Sequence, residues 1–224
     1  MKIEALPVVQ EEYQLKDYEK PAKDFQWEEA EKSFSWYETG KVNMAYEAID
    51  RHAASDIKDK VALYYQDVDR KESYTFANMK TWTDKAANVY KEHSNLAKGD
   101  RLFIFMPRSP ELYFALLGAV KMGAIVGPLF EAFMEGAVYD RLLDSEAKAI
   151  VTTPELLGRI PLDRLPDLET VFLVGDNIQE DDKFVDFNKA LNNASDEFEI
   201  EWVDKEDGLI LHYTSGSTGK PKGI

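Results

Sequence analysis

The sequence contains no cysteine and only three histidines among its 224 residues. Without cysteine the chain forms no disulfide bond, thiolate metal site or thiol nucleophile, and this composition fits the reducing cytoplasm as its compartment. The histidines, His52, His93 and His212, are far apart in the sequence. We therefore predict structural or surface roles for them and assign no residue as a metal ligand.

Basic residues are also scarce, since 27 lysines and arginines face 42 aspartates and glutamates and leave a net charge of −15. Nucleic acids and anionic membranes attract basic surfaces, so neither is an expected partner. The longest apolar run, residues 112–120, is too short to cross a bilayer, and the first residues do not have the pattern of a signal peptide.

Apolar segments with high β-propensity alternate with helical patterns from residue 101 onward. These segments are residues 102–106, 124–130, 149–152, 171–174 and 209–213. Strands without polar alternation are typical of a parallel sheet that helices cover on both faces. We predict an α/β fold with a mostly parallel sheet flanked by helices. In this fold Gly127 and Pro128 interrupt the second strand, and the acidic stretch 176–206 is mostly irregular apart from a helical patch near 187–191.

Two helix starts can be located from capping residues. Thr75 is a candidate N-cap for a helix that reaches about His93, after two short strands at 61–65 and 72–75. Ser109 and Pro110 occupy the N-cap and first positions of the next helix, which is apolar nearly all round and stops at Gly123. We therefore predict that this second helix is buried.

Residues 1–60 are acidic, rich in aromatic side chains and poor in strand patterns. Because disordered segments are poor in aromatics, we predict an N-terminal extension that packs on the domain formed by residues 61–224. Short helices are expected at about 25–34 and 44–54, the second capped by Asn43. The predicted buried face of the second helix consists of Ala45, Ala48, Ile49 and His52.

Residues 213–223 read YTSGSTGKPKG and follow a short apolar strand. Glycines allow close backbone approach, hydroxyl and N–H groups donate hydrogen bonds and lysines add positive charge, so the segment favours a phosphate chain as ligand. The spacing is not that of a P-loop, since only two residues separate Gly216 and Gly219 and Pro221 follows Lys220. The glycines that flank a nucleophile-elbow serine are also missing. A flexible Ser/Gly linker is the alternative, which the lysines around a proline and the preceding strand disfavour.

Segment 214–223, TSGSTGKPKG, resembles the phosphate-loop signature of the adenylate-forming superfamily, which includes acyl-CoA synthetases, adenylation domains and luciferases. KGDR at 98–101, SPE at 109–111 and MGAIV at 122–126 are similar to the N-terminal subdomain of those enzymes. Segment 34–52, FSWYETGKVNMAYEAIDRH, resembles the N-terminal segment of acetyl-CoA synthetases. The resemblance covers essentially the whole chain and indicates the acetate-activating group.

This resemblance implies that a carboxylate attacks the α-phosphorus of ATP to form an acyl-adenylate and pyrophosphate, and that the thiol of CoA then displaces AMP. It implies acetate, ATP and CoA as small-molecule substrates, with Mg²⁺ neutralising the phosphates. The residues that it assigns to the ATP phosphates are Thr214, Ser215, Gly216, Ser217, Thr218, Gly219, Lys220, Lys222 and Gly223. For Lys222 the alternative is a solvated charge that flanks the site.

Arg159 is similar to the second of two arginines that contact the phosphates of CoA in acetyl-CoA synthetases. Leu156 stands where the first arginine of that pair would be. A surface arginine is therefore the alternative for Arg159.

The acyl pocket, the adenine-binding motifs, the ribose-binding aspartate and the second-domain lysine of the superfamily all follow the phosphate loop and have no counterpart in this chain. We therefore assign no catalytic residue. We expect an N-terminal fragment of an acetate–CoA ligase that is inactive alone. The alternatives are another acyl-CoA or aryl acid ligase of the superfamily, and a non-catalytic nucleotide-binding fragment.

Overall fold

The computed structural model describes residues 19–214 and 219–224. The chain divides into two compact units, Met1–Gly40 and Lys41–Ile224. The boundary at residue 60 and the packing of the extension on the domain stay predictions.

The elements are numbered in chain order. The strands are β1 (Lys41–Val42), β2 (Val61–Gln66), β3 (Lys71–Thr75), β4 (Arg101–Phe105), β5 (Ile125–Pro128), β6 (Ala149–Thr152), β7 (Thr170–Leu173), β8 (Phe184–Asp186), β9 (Val203–Asp204), β10 (Tyr213–Thr214) and β11 (Lys222–Gly223). The helices are α1 (Glu19–Asp24), α2 (Trp27–Glu31), α3 (Trp36–Thr39), α4 (Arg51–Ala53), α5 (Phe76–His93), α6 (Pro110–Lys121), α7 (Glu135–Asp144), α8 (Pro154–Leu157) and α9 (Phe187–Asn193). A π-helical turn spans Tyr46–Asp50, and a 3₁₀ turn spans Leu162–Arg164.

In the described part of the first unit, the short helices α1 to α3 bury no residue. The rings of Phe34 and Trp36 stack with centroids 4.3 Å apart. The helix expected at about 25–34 is shorter than predicted. After α2 the backbone forms turns, with hydrogen bonds from Ser33 N to Ala30 O and from Phe34 N to Glu31 O.

The second unit is built on a five-stranded sheet with the order β5-β4-β6-β7-β8. All four strand pairings are parallel. The chain therefore crosses from β5 back over β4 to reach β6, and the order reverses between β4 and β6. Ligands of such doubly wound sheets bind beyond the carboxyl ends of the strands, near this reversal.

Successive side chains of β4 point to opposite faces of the sheet, and the core therefore has two layers. Leu102 and Ile104 belong to the layer that contains buried residues of α5, α6 and α9. Phe103 and Phe105 belong to the opposite layer with buried residues of α7 and α8. Because successive side chains of a strand point to opposite faces, a run of apolar residues is what a sheet covered on both faces requires. The predicted α/β fold is confirmed.

The helix starts are also confirmed, with one difference. Thr75 and Asn78 form a reciprocal capping box at the start of α5. Ser109 stands at the N-cap of α6 with Pro110 at its first position, but the Ser109 side chain makes no capping hydrogen bond. Gly123 follows α6 with φ +71°, which permits the left-handed stop that the sequence predicts.

Two expectations about local structure are wrong. Gly127 and Pro128 continue β5, because each pairs in register with β4 and a Cβ on Gly127 would lie 2.3 Å from the Phe103 ring. The π-helical turn buries Glu47 and Asp50 in place of the exposed Ala48, because its i→i+5 hydrogen bonds rotate the buried face relative to an α-helix. The stretch 176–206 is mostly irregular with the helix α9, as predicted, and it also contains the short strand β8, which pairs with β7.

The sheet is extended at its β5 edge by residues 209–211. Ile210 forms a parallel bridge with Val126, supported by the bonds from Val126 N to Leu209 O (3.0 Å) and from Leu211 N to Val126 O (2.9 Å). This segment leads directly into β10. Over residues 19–214 and 219–224, none of the helices has the length and apolar character needed to cross a membrane.

Candidate phosphate-binding site

The candidate site is the hairpin whose two strands are β10 and β11. Tyr213 pairs with Gly223 and Thr214 with Lys222 in an antiparallel register. His212 and Ile224 extend the pairing with two backbone bonds of 2.9 and 2.8 Å. Thr214 and Lys222 therefore face each other across the base of the hairpin, where the phosphate-loop segment begins and ends.

The described hairpin residues are open to solvent. Thr214, Gly219, Lys220, Lys222 and Gly223 are exposed. No ion pair joins Lys220 or Lys222 to an acid within residues 19–214 and 219–224. In a chain with net charge −15, these two lysines therefore present positive charge that an anionic ligand can use.

Four predicted site residues, Ser215, Gly216, Ser217 and Thr218, lie outside the described residues. Their roles stay predictions. The flanking glycines are described: Gly219 has φ +89°, which favours glycine. A Cβ on Gly223 would lie 3.0 Å from Leu211 Cδ1 and 3.3 Å from the Tyr213 ring, so glycine lets the two hairpin strands pack closely.

A cleft of about 390 Å³ opens beside the hairpin at the carboxyl ends of β4 and β5. Its walls are formed by Met106, Arg108, Leu112, Pro128, Leu129, Phe130, Glu131, Phe133, Arg141, His212 and Tyr213. The volume falls within the range of small-molecule sites, roughly 300 to 1,000 Å³. The cleft thus joins an apolar, aromatic wall to two arginines and to the hairpin base.

Tyr213 attaches the hairpin base to α7. Its hydroxyl donates a 2.7 Å hydrogen bond to Asp144 Oδ2. Burial, together with this bond to a carboxylate, raises the pKa of the Tyr213 phenol above its ordinary value. The guanidinium of Arg141 lies 5.7 Å from the centre of the same ring. The phenol therefore stays protonated at neutral pH and keeps donating to Asp144.

Arg159 follows α8, and its side chain reaches the loop that follows β5. Its Nη1 donates to the backbone oxygens of Glu131 (2.9 Å) and Phe133 (3.3 Å). Leu156 is buried in the core layer of α7 and α8, so it does not replace the first arginine of the CoA-binding pair. Arg159 does not itself line the cleft, but it contacts the backbone of Glu131 and Phe133, which do, and these two carbonyls already engage one of its nitrogens.

The remaining question is whether the acidic and histidine side chains form a metal site. Over the described residues no group of three or more His, Asp or Glu side chains is arranged to hold a metal ion. His212 lines the cleft, and His52 packs against the Phe76 ring at 4.9 Å. Sequence reasoning overlooked Asp144 and Arg141, because nothing local marks two residues of an amphipathic helix as neighbours of a strand about seventy positions later.

The fold and the hairpin define a parallel α/β protein that presents a lysine- and glycine-rich turn beside a cleft at the carboxyl edge of its sheet. The model of the AMP-binding enzyme family matches residues 49–224. This chain belongs to that family.

Two curated relatives are similar over most of the chain. The acetyl-coenzyme A synthetase of Bacillus subtilis (strain 168) is 59% identical over 224 residues, which are 100% of this chain and 39% of the relative. The acetyl-coenzyme A synthetase of Helicobacter pylori (strain G27) is 36% identical over 204 residues, 83% of this chain and 30% of the relative. The chain therefore spans well under half the length of these relatives.

Solved structures agree with the fold. An acyl-CoA synthetase of Brucella canis superposes with a TM-score of 0.80 at 26% identity, covering 92% of this chain and 37% of that protein. An anthranilate CoA ligase in complex with anthranoyl-AMP gives 0.73 at 26% identity, covering 82% and 34%.

Proposed function

We propose that this chain supplies the triphosphate-binding hairpin of an ATP-dependent acetate–CoA ligase. The observation that carries the proposal is the hairpin base, where exposed Thr214 faces exposed Lys222 and neither Lys220 nor Lys222 has an acid partner among the described residues. The 59% identity to an acetyl-coenzyme A synthetase supports acetate as the acid.

In the proposed reaction, the acetate carboxylate attacks the α-phosphorus of ATP, which gives acetyl-adenylate and releases pyrophosphate. Negative charge builds on the leaving pyrophosphate, so donors held in place before the reaction stabilise the transition state. Thr214 donates through its hydroxyl, and Lys220 and Lys222 supply charge. Ser215, Gly216, Ser217, Thr218, Gly219 and Gly223 complete the proposed phosphate contacts.

In the second half of the proposed reaction, the thiol of CoA attacks the acetyl carbonyl and displaces AMP. We assign Arg159 to a CoA phosphate, supported by its bonds to the backbone of Glu131 and Phe133, two residues of the cleft wall. Mg²⁺ accompanies ATP as its counterion. Because the described residues offer no cluster of three acids or histidines, we expect the phosphates to provide most of its ligands.

A chimera tests the function directly. This chain replaces the aligned 39% of the Bacillus subtilis enzyme, and acetate-dependent exchange between ATP and pyrophosphate is measured. We expect exchange from the chimera and none from the 224-residue chain alone. Lys220→Ala is expected to raise the KM for ATP at least tenfold, the loss typical of one charge-assisted hydrogen bond. Lys222→Ala then distinguishes a phosphate contact from a solvated charge.

The second candidate is an aryl or longer acyl acid ligase, which the likeness to an anthranilate CoA ligase and the aromatic cleft wall of Phe130 and Phe133 favour. Exchange that depends on benzoate or butyrate but not acetate, with the acyl pocket taken from a matching relative, would select it. ATP binding by the chain, without exchange in either chimera, would indicate a nucleotide-binding fragment and overturn both proposals.

A further inference from the structure

The Asp144–Tyr213 contact joins helix α7, which packs on the sheet, to the base of the candidate phosphate-binding hairpin. Asp144 is the last residue of α7, which packs on the sheet through the buried Val138 and Leu142. Tyr213 is the first residue of β10, one position before Thr214. A 2.7 Å bond from a half-buried phenol to a carboxylate therefore links the rigid layer of helices to the hairpin base.

A second contact holds the same ring from the side. Arg141 is 8% exposed, and its Nη1 donates a 2.7 Å bond to Ala137 O within α7. Its guanidinium lies 4.4 Å from the centre of the Phe133 ring and 5.7 Å from that of Tyr213. Aromatic rings attract a cation over their faces within about 6 Å, and more strongly when water is excluded. Arg141 thus fills the space between the loop after β5 and the Tyr213 ring.

The described part of the hairpin is short. Its strands have two residues each, and isolated two-stranded hairpins are marginal in water. The hairpin is joined to the sheet through residues 209–211 beside Val126, and Leu211 and the Tyr213 ring pack on the core layer of α7 and α8. The bond from the Tyr213 hydroxyl to Asp144 adds a directional contact to this packing at the hairpin base.

We propose that Asp144 is a positioning residue for nucleotide triphosphate binding: through the Tyr213 hydroxyl, and with Arg141 packed on the ring, it holds the hairpin base so that Thr214 and Lys222 meet the phosphates. This inference rests on the proposed function. Positioning is energetically significant because a small displacement of binding groups weakens a site that must hold a reacting phosphorus in line with its nucleophile.

The test uses the chimera described above with four variants. Asp144→Ala removes the acceptor and Tyr213→Phe removes the donor while keeping the ring under Arg141. Asp144→Asn keeps an amide oxygen that can accept the same bond. Asp140→Ala is the matched control, because Asp140 is an exposed aspartate one turn earlier on α7.

We expect Asp144→Ala and Tyr213→Phe each to raise the KM for ATP roughly tenfold, as the loss of a hydrogen bond to a charged group does. The KM for acetate should stay within about twofold, since we expect the acyl pocket to be formed by residues of the parent enzyme that follow the phosphate loop. The double variant should be no worse than either single one, because both remove the same bond. Asp144→Asn should recover most of the ATP affinity, and Asp140→Ala should match the parent.

Three results would overturn the inference: an unchanged KM for ATP in Asp144→Ala, additive losses in the double variant, or equal rises in KM for ATP and acetate together with a lower unfolding temperature. The last result would show a merely structural contact. A parent chimera without acetate-dependent exchange refutes the proposed function instead. The positioning role is then read from the affinity of the 224-residue chain for a fluorescent ATP analogue, which Asp144→Ala must weaken and Asp140→Ala must not.

Discussion

Replacing Lys121 with methionine should destabilise the second unit strongly and in a pH-dependent way. The Lys121 side chain is fully buried near the end of α6 and lies 2.5 Å from Asp84 and 2.9 Å from Asp50. Asp84 is also fully buried, and it keeps a second partner in Lys80. Within residues 19–214 and 219–224, the one cation left near Asp50 once Lys121 is removed is Lys80 at 3.9 Å. Burial raises the pKa of Asp50 above its ordinary value, and Lys121 opposes this rise.

The magnitude follows from the least costly response of the variant, which is to fold with Asp50 protonated. At pH 7 that proton costs about 1.4 kcal/mol for each of the roughly three pH units above the ordinary aspartate pKa, about 4 kcal/mol in all. This agrees with the roughly 3–5 kcal/mol lost when one partner of a buried ion pair is removed. Methionine is close to lysine in length, so the change leaves little extra cavity.

The sign of the pH dependence can be worked out. In the variant the folded state binds a proton on Asp50 that the unfolded state, with its ordinary pKa near 4, has released. Stability then falls by about 1.4 kcal/mol per pH unit as pH rises from about 5 to 7, and the deficit relative to the parent shrinks on acidification. In the parent, Lys121 opposes the rise in the Asp50 pKa, so the same slope ends at a lower pH than in the variant.

Urea unfolding at several pH values, followed by tryptophan fluorescence and circular dichroism, measures both quantities. Lys80→Met is the control, since this lysine is 39% exposed and should cost about 1 kcal/mol or less. Lys121→Met with Asp50→Asn should be more stable than Lys121→Met alone at pH 7, and its deficit should not depend on pH. A Lys121→Met deficit below about 1 kcal/mol, or one equal at pH 5 and pH 7, would refute the reasoning.

Two further predictions concern α5. Gly118→Ala should destabilise the fold by about 1–3 kcal/mol, because the new Cβ would lie 2.6 Å from Ala86 Cβ and 3.0 Å from Ala87 N. Urea unfolding should show no loss of stability for the control Gly136→Ala, where nothing lies within 4 Å of the new Cβ. Equal effects of the two substitutions would contradict the close packing of α5 on α6. Thr75→Ala should cost about 1 kcal/mol by removing one side of the capping box, whereas Thr75→Ser should cost little, and thermal unfolding of the pair distinguishes the cap from the methyl group.

The strands of the sheet could be predicted because their local pattern and their final environment agree. Residues 149–151 are apolar, with Ala149 and Val151 on one face and Ile150 on the other, and all four residues of β6 are buried. The N-cap of α5 was equally readable, since Thr75 and Asn78 are three positions apart and bond to each other. Both features depend on contacts within a few residues.

The missed features depend on contacts that are distant in sequence. β8 has one buried side chain, Val185, and its strand conformation follows from pairing with β7. The π-helical turn buries Asp50 because Lys121 lies opposite it, about seventy positions away. A periodicity argument places an aspartate on the exposed face, and only the tertiary partner reverses that assignment.

In the candidate site, too, the local sequence indicates the kind of ligand, whereas distant residues determine where the site lies. The composition of residues 213–223 predicts an anion-binding turn, which stays a prediction; the structure shows that Lys220 and Lys222 are exposed. Its location depends on Val126, which pairs with residues 209–211, and on Asp144, which accepts from Tyr213. An alanine at position 144 would leave the phosphate-loop composition untouched, yet we expect it to weaken nucleotide binding. Variation at the C-terminal end of α7 should therefore affect ATP affinity even among sequences whose phosphate loops are identical.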